Sequence, residues 1–515
     1  PGGLCSVPIE AAYHQRIKIR PDPGFGFKWC KEALTWKDLV KHPVRTIACQ
    51  SIDLEEPARR FTAATIYDEE DSTVRYYPKI TLRLRAPIEI ENLLPFNIQF
   101  YVYMTAQEHT YAAFLRRGGS SPVHIVDTMD LLLLGVEFQD DGVVGLKRSE
   151  YAIVNTNNPE DFPVENRLIM EDEDGLKIKL GLHFMRYPLS GGAFKIQIYC
   201  PYVIINKTGL DFSIRSKPLM RSPKSVAGQN LCGNASRRKE PRPFLFSHLE
   251  DDKRNGAVLR VGDSNWSKAI NFDVVGANQQ VTMQTSTKTS EYRVGLNVSE
   301  GLGKYNLTKV VIIYPRFIIK NNAKLPICLR EDVSDNVFII KPGKRVSLSL
   351  FNNSANPQLV IAFESLVGKR WSKPFQIQDV GKVYVRVADP LNSETLVHVE
   401  ILLQGPSIFI KLNVNADKWP FLIRNKSSCV LHFGQTVINR SQKNNYGIIR
   451  LYESQPDTEI SYAWDEPAAG LESLIRVILL QRRDQGESSS KPLPPVLLRD
   501  VHMLEVGQLE PVRTQ

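Results

Sequence analysis

Four asparagines stand out for the regularity of their spacing. Asn92, Asn206, Asn321 and Asn425 are 114, 115 and 104 residues apart, and each ends an apolar strand-like run. The runs are Ile88-Glu89-Ile90-Glu91-Asn92, Val203-Ile204-Ile205-Asn206, Phe317-Ile318-Ile319-Lys320-Asn321 and Phe421-Leu422-Ile423-Arg424-Asn425, each followed by a turn and a second strand. An asparagine amide offers two donor hydrogens and an acceptor oxygen. Its chemistry is therefore hydrogen bonding. At a strand end entering a turn it can bond the backbone of a neighbouring loop, and it tolerates left-handed backbone. The expectation is a structural latch. The sharper form of that expectation is a latch that also shapes a peptide groove between units.

Reactive side chains form no catalytic constellation. The nine histidines are scattered, with no pair at H-x-x-H or H-x-x-x-H spacing. The acidic runs at 68–71 and 171–174 lack the alternating ligands and distal Glu of a calcium loop, so they read as solvated turns. Gly301-Leu302-Gly303-Lys304 sits between two strands and lacks the following helix that would hold a phosphate. No G-x-S-x-G elbow occurs. The reading is a non-enzyme that needs no cofactor and no metal.

The elements that must position the asparagines are strands. No segment longer than about ten residues keeps a 3.6-residue period, whereas runs of five to nine residues alternate between turn residues. An acidic Asp-Gly turn joins 167–170 to 176–184 as a hairpin. Longer strands pair at 292–298 with 305–313 and at 396–403 with 408–414. Residues 14–29 read as strand and hairpin, and 32–40 as a short helical turn. Recurrence of one domain-sized unit predicts an all-β tandem array of antiparallel β-sandwich-like repeats, extended or arc-shaped. The expected divisions are a partial repeat at 1–80, repeats at 81–195, 196–310 and 311–414, and a last repeat at 415–515 with a C-terminal closing strand from Asp500 onward. Trp266-Ser267-Lys268 and Trp371-Ser372-Lys373 repeat a second motif, with a looser copy at Trp464. These tryptophans are expected to cover sandwich ends.

Composition is that of a folded protein, with 42% hydrophobic and 23% charged residues. The net charge of +9 is a mild excess that reads first as an ordinary basic surface and only second as a face toward an anionic membrane or acidic partner. Seven widely spaced cysteines without C-x-x-C read as reduced, mostly buried thiols of a cytosolic protein. No apolar run reaches the roughly 18 to 20 residues of a membrane span, so any membrane connection is expected to be peripheral. Residues 216–243, rich in proline and carrying Arg237-Arg238-Lys239, read as a long surface loop. Residues 482–491 read as linker, leading to a polyproline-like Pro492-Leu493-Pro494-Pro495. Beginning at Pro1, the chain reads as part of something longer.

The repeat asparagines, together with Phe114-Leu115-Arg116-Arg117-Gly118-Gly119, Gly191-Gly192-Ala193-Phe194-Lys195, Arg260-Val261-Gly262-Asp263-Ser264-Asn265-Trp266-Ser267 and Met503-Leu504-Glu505-Val506-Gly507, resemble the adaptor-binding domain of the vacuolar protein sorting-associated thirteen family, bridge-like lipid-transfer proteins of membrane contact sites. The likeness covers essentially the whole chain and is nearest in pattern to fungal members. It implies six β-rich repeats in an arc, each with its asparagine. It also implies recruitment to organelles (endosome or vacuole, mitochondria, prospore-type membranes) by binding Pro-x-Pro motifs of membrane adaptors, with no nucleic-acid partner. Only four asparagines are present here. The first repeat and part of the second are then missing, and Asn321 and Asn425 mark the last two repeats, where the family binds its motif. Lipid transfer belongs to another part of such proteins. An extended peptide can add a strand to an exposed edge, and an X-Pro-X-Pro ligand arrives nearly pre-ordered. The candidate pocket residues are Phe351, Val360, Phe363, Trp371, Leu422, Ile423, Val430, Tyr446 and Ile448. Pro492 and Pro494 have the form of the ligand, as linker or as an internal pseudo-ligand. The alternative function is direct binding to anionic membranes through the basic loop 217–242.

Overall fold

The structure is a computed structural model that describes residues 3–8, 16–53, 56–68, 70, 80–139, 146–171, 175, 177–217, 229–231, 243–248, 256–352, 356–364, 368–388, 394–414, 419–437, 448–479 and 496–502. Strands dominate, as the alternating runs require. Among the described residues the α-helix is the six-residue Trp36–Lys41, whose N-terminal cap Thr35 accepts a hydrogen bond from the Asp38 N–H. The chain falls into two compact units. One comprises Pro1–Val258, Ala269–Gly276 and Val298–Ile312, the other Leu259–Lys268, Ala277–Asn297 and Ile313–Gln515.

In the first unit, residues 16–29 do not form the expected hairpin. They make isolated bridges, Ile17 with Leu34 and Phe27 with Ser51, around a 3-10 turn at Pro23–Phe25. Pro21 and Pro23 have no N–H to give to a ladder. Phe27, Cys30, Leu34 and Leu39 pack instead on Ile47, Cys49 and Ala63 of a three-stranded antiparallel sheet, Val44–Cys49, Arg59–Ile66 and Thr81–Arg85.

A two-layer sandwich follows. One layer has the order Arg167–Glu171, Lys177–Arg186, Phe194–Tyr199, Ile88–Asn92, Ser120–Val123. The other runs His109–Leu115, Ile98–Met104, Leu132–Phe138, Ala152–Asn155. Ile98–Met104 buries every second residue, and Phe100 and Val102 share one core with Ile88, Ile90, Ile196 and Ile198 of the facing layer. Phe194–Tyr199 lies parallel to Ile88–Asn92, so the last strand returns beside the asparagine strand that opened the repeat. A new asparagine strand, Tyr202–Asn206, then pairs antiparallel with Pro243–Phe246.

The second unit repeats this plan. Its five-stranded layer runs Arg345–Leu348, Phe317–Asn321, Ser407–Val414, Glu394–Gln404, Gly381–Ala388. Its four-stranded layer runs Phe338–Ile340, Ile327–Glu331, Gln358–Phe363, Phe375–Gln376. Ser407–Val414 again lies parallel to the asparagine strand, over a core that includes Phe317, Ile319, Leu329 and Ile361. The last repeat shows fewer strands among the described residues. Phe421–Arg424 pairs with Glu459–Tyr462, and a separate sheet has the order Tyr452–Ser454, Leu431–Val437, Ser473–Leu479, Val496–His502. That final strand is antiparallel to Ser473–Leu479, while Met503 to Gly507 lie outside the described residues.

Candidate functional site

All four asparagines make one device. The Oδ1 atom accepts from the N–H two residues on, at 3.0 Å in Asn92, Asn206 and Asn425 and 2.8 Å in Asn321. The Nδ2 group donates to the carbonyl four residues on: Phe96 at 2.9 Å, Leu210 at 2.6 Å, Leu325 at 2.9 Å and Cys429 at 2.9 Å. The amide thus closes a tight turn from inside. In three repeats Nδ2 also reaches a strand arriving later in the sequence, at Leu115 and Arg116 (both 3.3 Å), Ile340 (2.8 Å) and Ser454 (3.0 Å). Asn92, Asn321 and Asn425 are buried, whereas Asn206 is half-buried. The corresponding later strand of the Asn206 repeat is Gln229–Leu231, antiparallel to Phe212–Lys217, and residues 232–242 after it lie outside the described residues.

The other half of the device is a turn that the spacing of the asparagines does not reveal. The asparagine main chain pairs with it: Asn92 N–H with Gly119 O, Asn321 N–H with Lys344 O, and Asn425 N–H with Thr458 O. The turns are Arg116-Arg117-Gly118-Gly119, Lys341-Pro342-Gly343-Lys344 and Gln455-Pro456-Asp457-Thr458. Each needs left-handed backbone at its third residue, with φ of 69° at Gly118, 72° at Gly343 and 54° at Asp457. Glycine adopts this freely, and Asp457 does so at a cost. The Pro-Gly and Pro-Asp pairs were the available sequence signal.

The repeats differ beside this device. Backbone N–H groups alternate in direction along a strand, and Asn92, Asn321 and Asn425 all point theirs toward the turn. The residues one position on point the other way. The Leu93 N–H bonds Ile198 O at 2.9 Å and the Asn322 N–H bonds Leu412 O at 2.9 Å, both on the parallel closing strand. In the last repeat, no described residue occupies that place. Phe421–Arg424 has one neighbour, Glu459–Tyr462. The backbone groups of Leu422, Arg424 and Lys426 therefore face an open edge among the described residues. Leu422 is 55% exposed on the outer face, while Phe421 and Ile423 pack inward against Tyr462 and Trp464.

The candidate pocket residues separate accordingly. Phe351, Val360 and Phe363 are only 2%, 1% and 4% exposed. They offer a ligand no surface: strand Gln358–Phe363 is covered on both faces, and Phe351 is the buried residue of the separate strand Leu350–Asn352. Leu422 is exposed, and Ile423, Val430 and Ile448 are half-buried around the last asparagine strand. Trp371 is half-buried with the Arg330 guanidinium 4.8 Å over its ring. Its neighbour Ser372 pins the strand through Oγ to Ile361 N–H, as Ser267 does to Leu259 and, without a tryptophan, Ser149 to Val136. Tyr446, Pro492, Pro494 and most of loop 217–242, including Arg237, Arg238 and Lys239, lie outside the described residues.

Sequence reading missed Arg386, which joins the last two repeats. It projects from strand Gly381–Ala388, donates to Ala463 O at 2.7 Å, and lies 5.1 to 5.4 Å over the rings of Trp419, Tyr452 and Tyr462. Asp465 is 3.8 Å from its Nε and accepts from the Tyr452 hydroxyl at 2.5 Å. Burial, with the Asp465 hydrogen bonds, pushes both tyrosines above their ordinary range. Burial also raises Glu394, but Arg450 and Arg386 outweigh it and hold this carboxyl below its usual value. Nothing in this cluster resembles a poised nucleophile or metal site, and it works as a joint.

Residues 1–470 match the family described as vacuolar-sorting associated protein 13, adaptor binding domain. The intermembrane lipid transfer protein VPS13 of Chaetomium thermophilum is 37% identical over 91% of this chain, which spans 15% of that protein's length. Human VPS13D is 25% identical over 91% of the chain and Dictyostelium discoideum vps13E 22% over 96%, with 11% and 12% of those proteins covered. Four latched asparagines at domain spacing, an all-β repeat plan and this match lead to one conclusion: the chain belongs to the adaptor-binding domain family of vacuolar sorting protein 13, a non-catalytic module.

Proposed function

We propose that the chain is a targeting module that binds short Pro-x-Pro motifs of organelle adaptors and so recruits a bridge-like lipid-transfer protein to membrane contact sites. The ligand adds a strand along Phe421–Arg424. The observation that supports this reading is the open edge: among the described residues the asparagine strand is flanked on both sides at Asn92 and Asn321 and on one side at Asn425. Leu422 and Val430 supply apolar contacts, with Ile423 packed inward behind the edge, and the latch holds the edge rigid, so little ordering cost falls on the protein. Pro492 and Pro494 are close enough in sequence to compete as a tethered pseudo-ligand.

The test is a titration of a fluorescent Pro-x-Pro peptide. The intact chain binds saturably. Leu422→Pro, which removes an outward N–H but no bond to Glu459–Tyr462, weakens binding at least about tenfold. The absence of any binding by the intact chain sinks the reading. Replacing Pro492 and Pro494 with Ala strengthens peptide binding if the tether self-docks, and unchanged affinity makes it linker.

A further inference from the structure

We infer that the latch end of the Asn321 repeat is a docking tip for an anionic membrane surface, separate from the Phe421–Arg424 edge and from loop 217–242. The Asn321 amide bonds both Leu325 O and Ile340 O, and its main chain pairs with Gly343 and Lys344. Two loops, 322–326 and 341–345, are thereby held together at one end of the repeat. Lys324, Lys341, Lys344 and Arg345 are all exposed there, and none forms an ion pair among the described residues. Neither 322–326 nor 336–345 contains an acidic residue. Asp332 and Asp335 lie beyond the far end of the strand Phe338–Ile340.

Large apolar side chains share this basic end. Leu325 is 43% exposed, Phe338 40% and Ile339 51%. Water disfavours exposed apolar side chains of this size, and neighbouring cations do not relieve the cost. A bilayer interface takes both, accepting apolar side chains at the acyl boundary and cations at anionic headgroups. The latch does not require this composition: the equivalent turn of the last repeat is Gln455-Pro456-Asp457-Thr458, following a buried Ser454. In the first unit, by contrast, the same place carries Phe114, 55% exposed, followed by exposed Arg116 and Arg117. A bilayer fits better than an acidic peptide strand, because Phe338–Ile340 is a three-residue edge with few ladder bonds to offer.

Sedimentation with vesicles of phosphatidylcholine, with and without phosphatidylserine, tests the assignment. The intact chain binds only the phosphatidylserine vesicles, and binding falls with salt. Each basic residue near the surface contributes about fivefold, so Lys341→Glu, Lys344→Glu and Arg345→Glu together cost roughly 100-fold or more. Phe338→Ser with Ile339→Ser also weakens binding, whereas Pro-x-Pro peptide affinity is unchanged in both variants. Should the triple variant unfold, Lys341→Gln with Lys344→Gln gives the same reading. The inference is overturned if the intact chain ignores phosphatidylserine, or if both variant sets bind as it does. Loss confined to Arg237→Ala, Arg238→Ala and Lys239→Ala overturns it in favour of the other loop. Retention of acidic peptides without vesicle binding overturns it in favour of a protein partner.

Discussion

The Asn321 and Asn425 repeats carry the same latch with the same bond pattern, yet among the described residues one asparagine strand is central and the other has a single neighbour. Around Asn321, the Arg345–Leu348 and Ser407–Val414 strands satisfy both sides of the strand, and its backbone is part of the core. Around Asn425 the latch holds a strand with one side unpaired among the described residues. An exposed edge in a natural protein invites aggregation unless it is short, twisted or used. This one is four residues long, carries Arg424 paired with Glu459, and is stiffened by the latch. The device that closes a core in one repeat holds, in the next, a strand paired on one side among the described residues.

The comparison can be broken at several points. The largest effect is expected from Asn321→Ala, which strands Leu325 O, Ile340 O and Ala323 N–H in a buried site. A loss of about 3 kcal/mol in urea unfolding follows. Asn425→Ala loses nearly as much, and half-buried Asn206→Ala about 1 kcal/mol. Equal losses at Asn206 and Asn321 would show that burial is not what sets the value of the latch. Proline three residues before each asparagine separates a central strand from an edge. Ile318→Pro breaks the parallel ladder to Ser407–Val414 and costs about 3 kcal/mol, whereas Leu422→Pro changes the unfolding midpoint little and acts on peptide affinity. If both unfold the chain alike, the Asn425 strand is not an edge.

Two smaller effects sharpen the contrast. Arg386→Met removes the cation beside Asp465 and the donor to the Ala463 carbonyl, and lowers stability by about 2 kcal/mol, read in the same unfolding experiment. Asp457→Gly relieves left-handed backbone at the turn where the other repeats have Gly118 and Gly343. It raises the unfolding free energy by about 0.5 to 1 kcal/mol. Peptide affinity at the neighbouring edge stays the same, provided the edge is already rigid.

Much of this was legible in the chain. Alternating runs gave strands at 167–170, 396–403 and 408–414 to within a residue or two, because one buried face imposes a period of two. The asparagines were legible as latches because an amide at a strand end has few other uses. The candidate pocket was less so. Phe351, Val360 and Phe363 are apolar and near the junction, but apolarity does not distinguish a core face from a binding face. The buried joint at Arg386 was invisible, since one arginine in an alternating strand looks like any solvated one until Trp419, Tyr452 and Tyr462 are folded around it. The failed hairpin at 16–29 followed from giving alternation more weight than Pro21 and Pro23.

The sequence by itself determined the all-β class, the repeat length and the four amide latches, since each rests on local rules of period, turn and hydrogen-bond capacity. Tertiary structure alone decided which latched strand is flanked on both sides and which on one side among the described residues, and which apolar residues are core. Those depend on a closing strand about ninety residues away along the chain in the Asn321 repeat, where Leu412 receives the Asn322 N–H. No local pattern at 317–321 or 421–425 encodes whether such a distant partner is present, because pairing of that kind is fixed by the packing of the whole repeat.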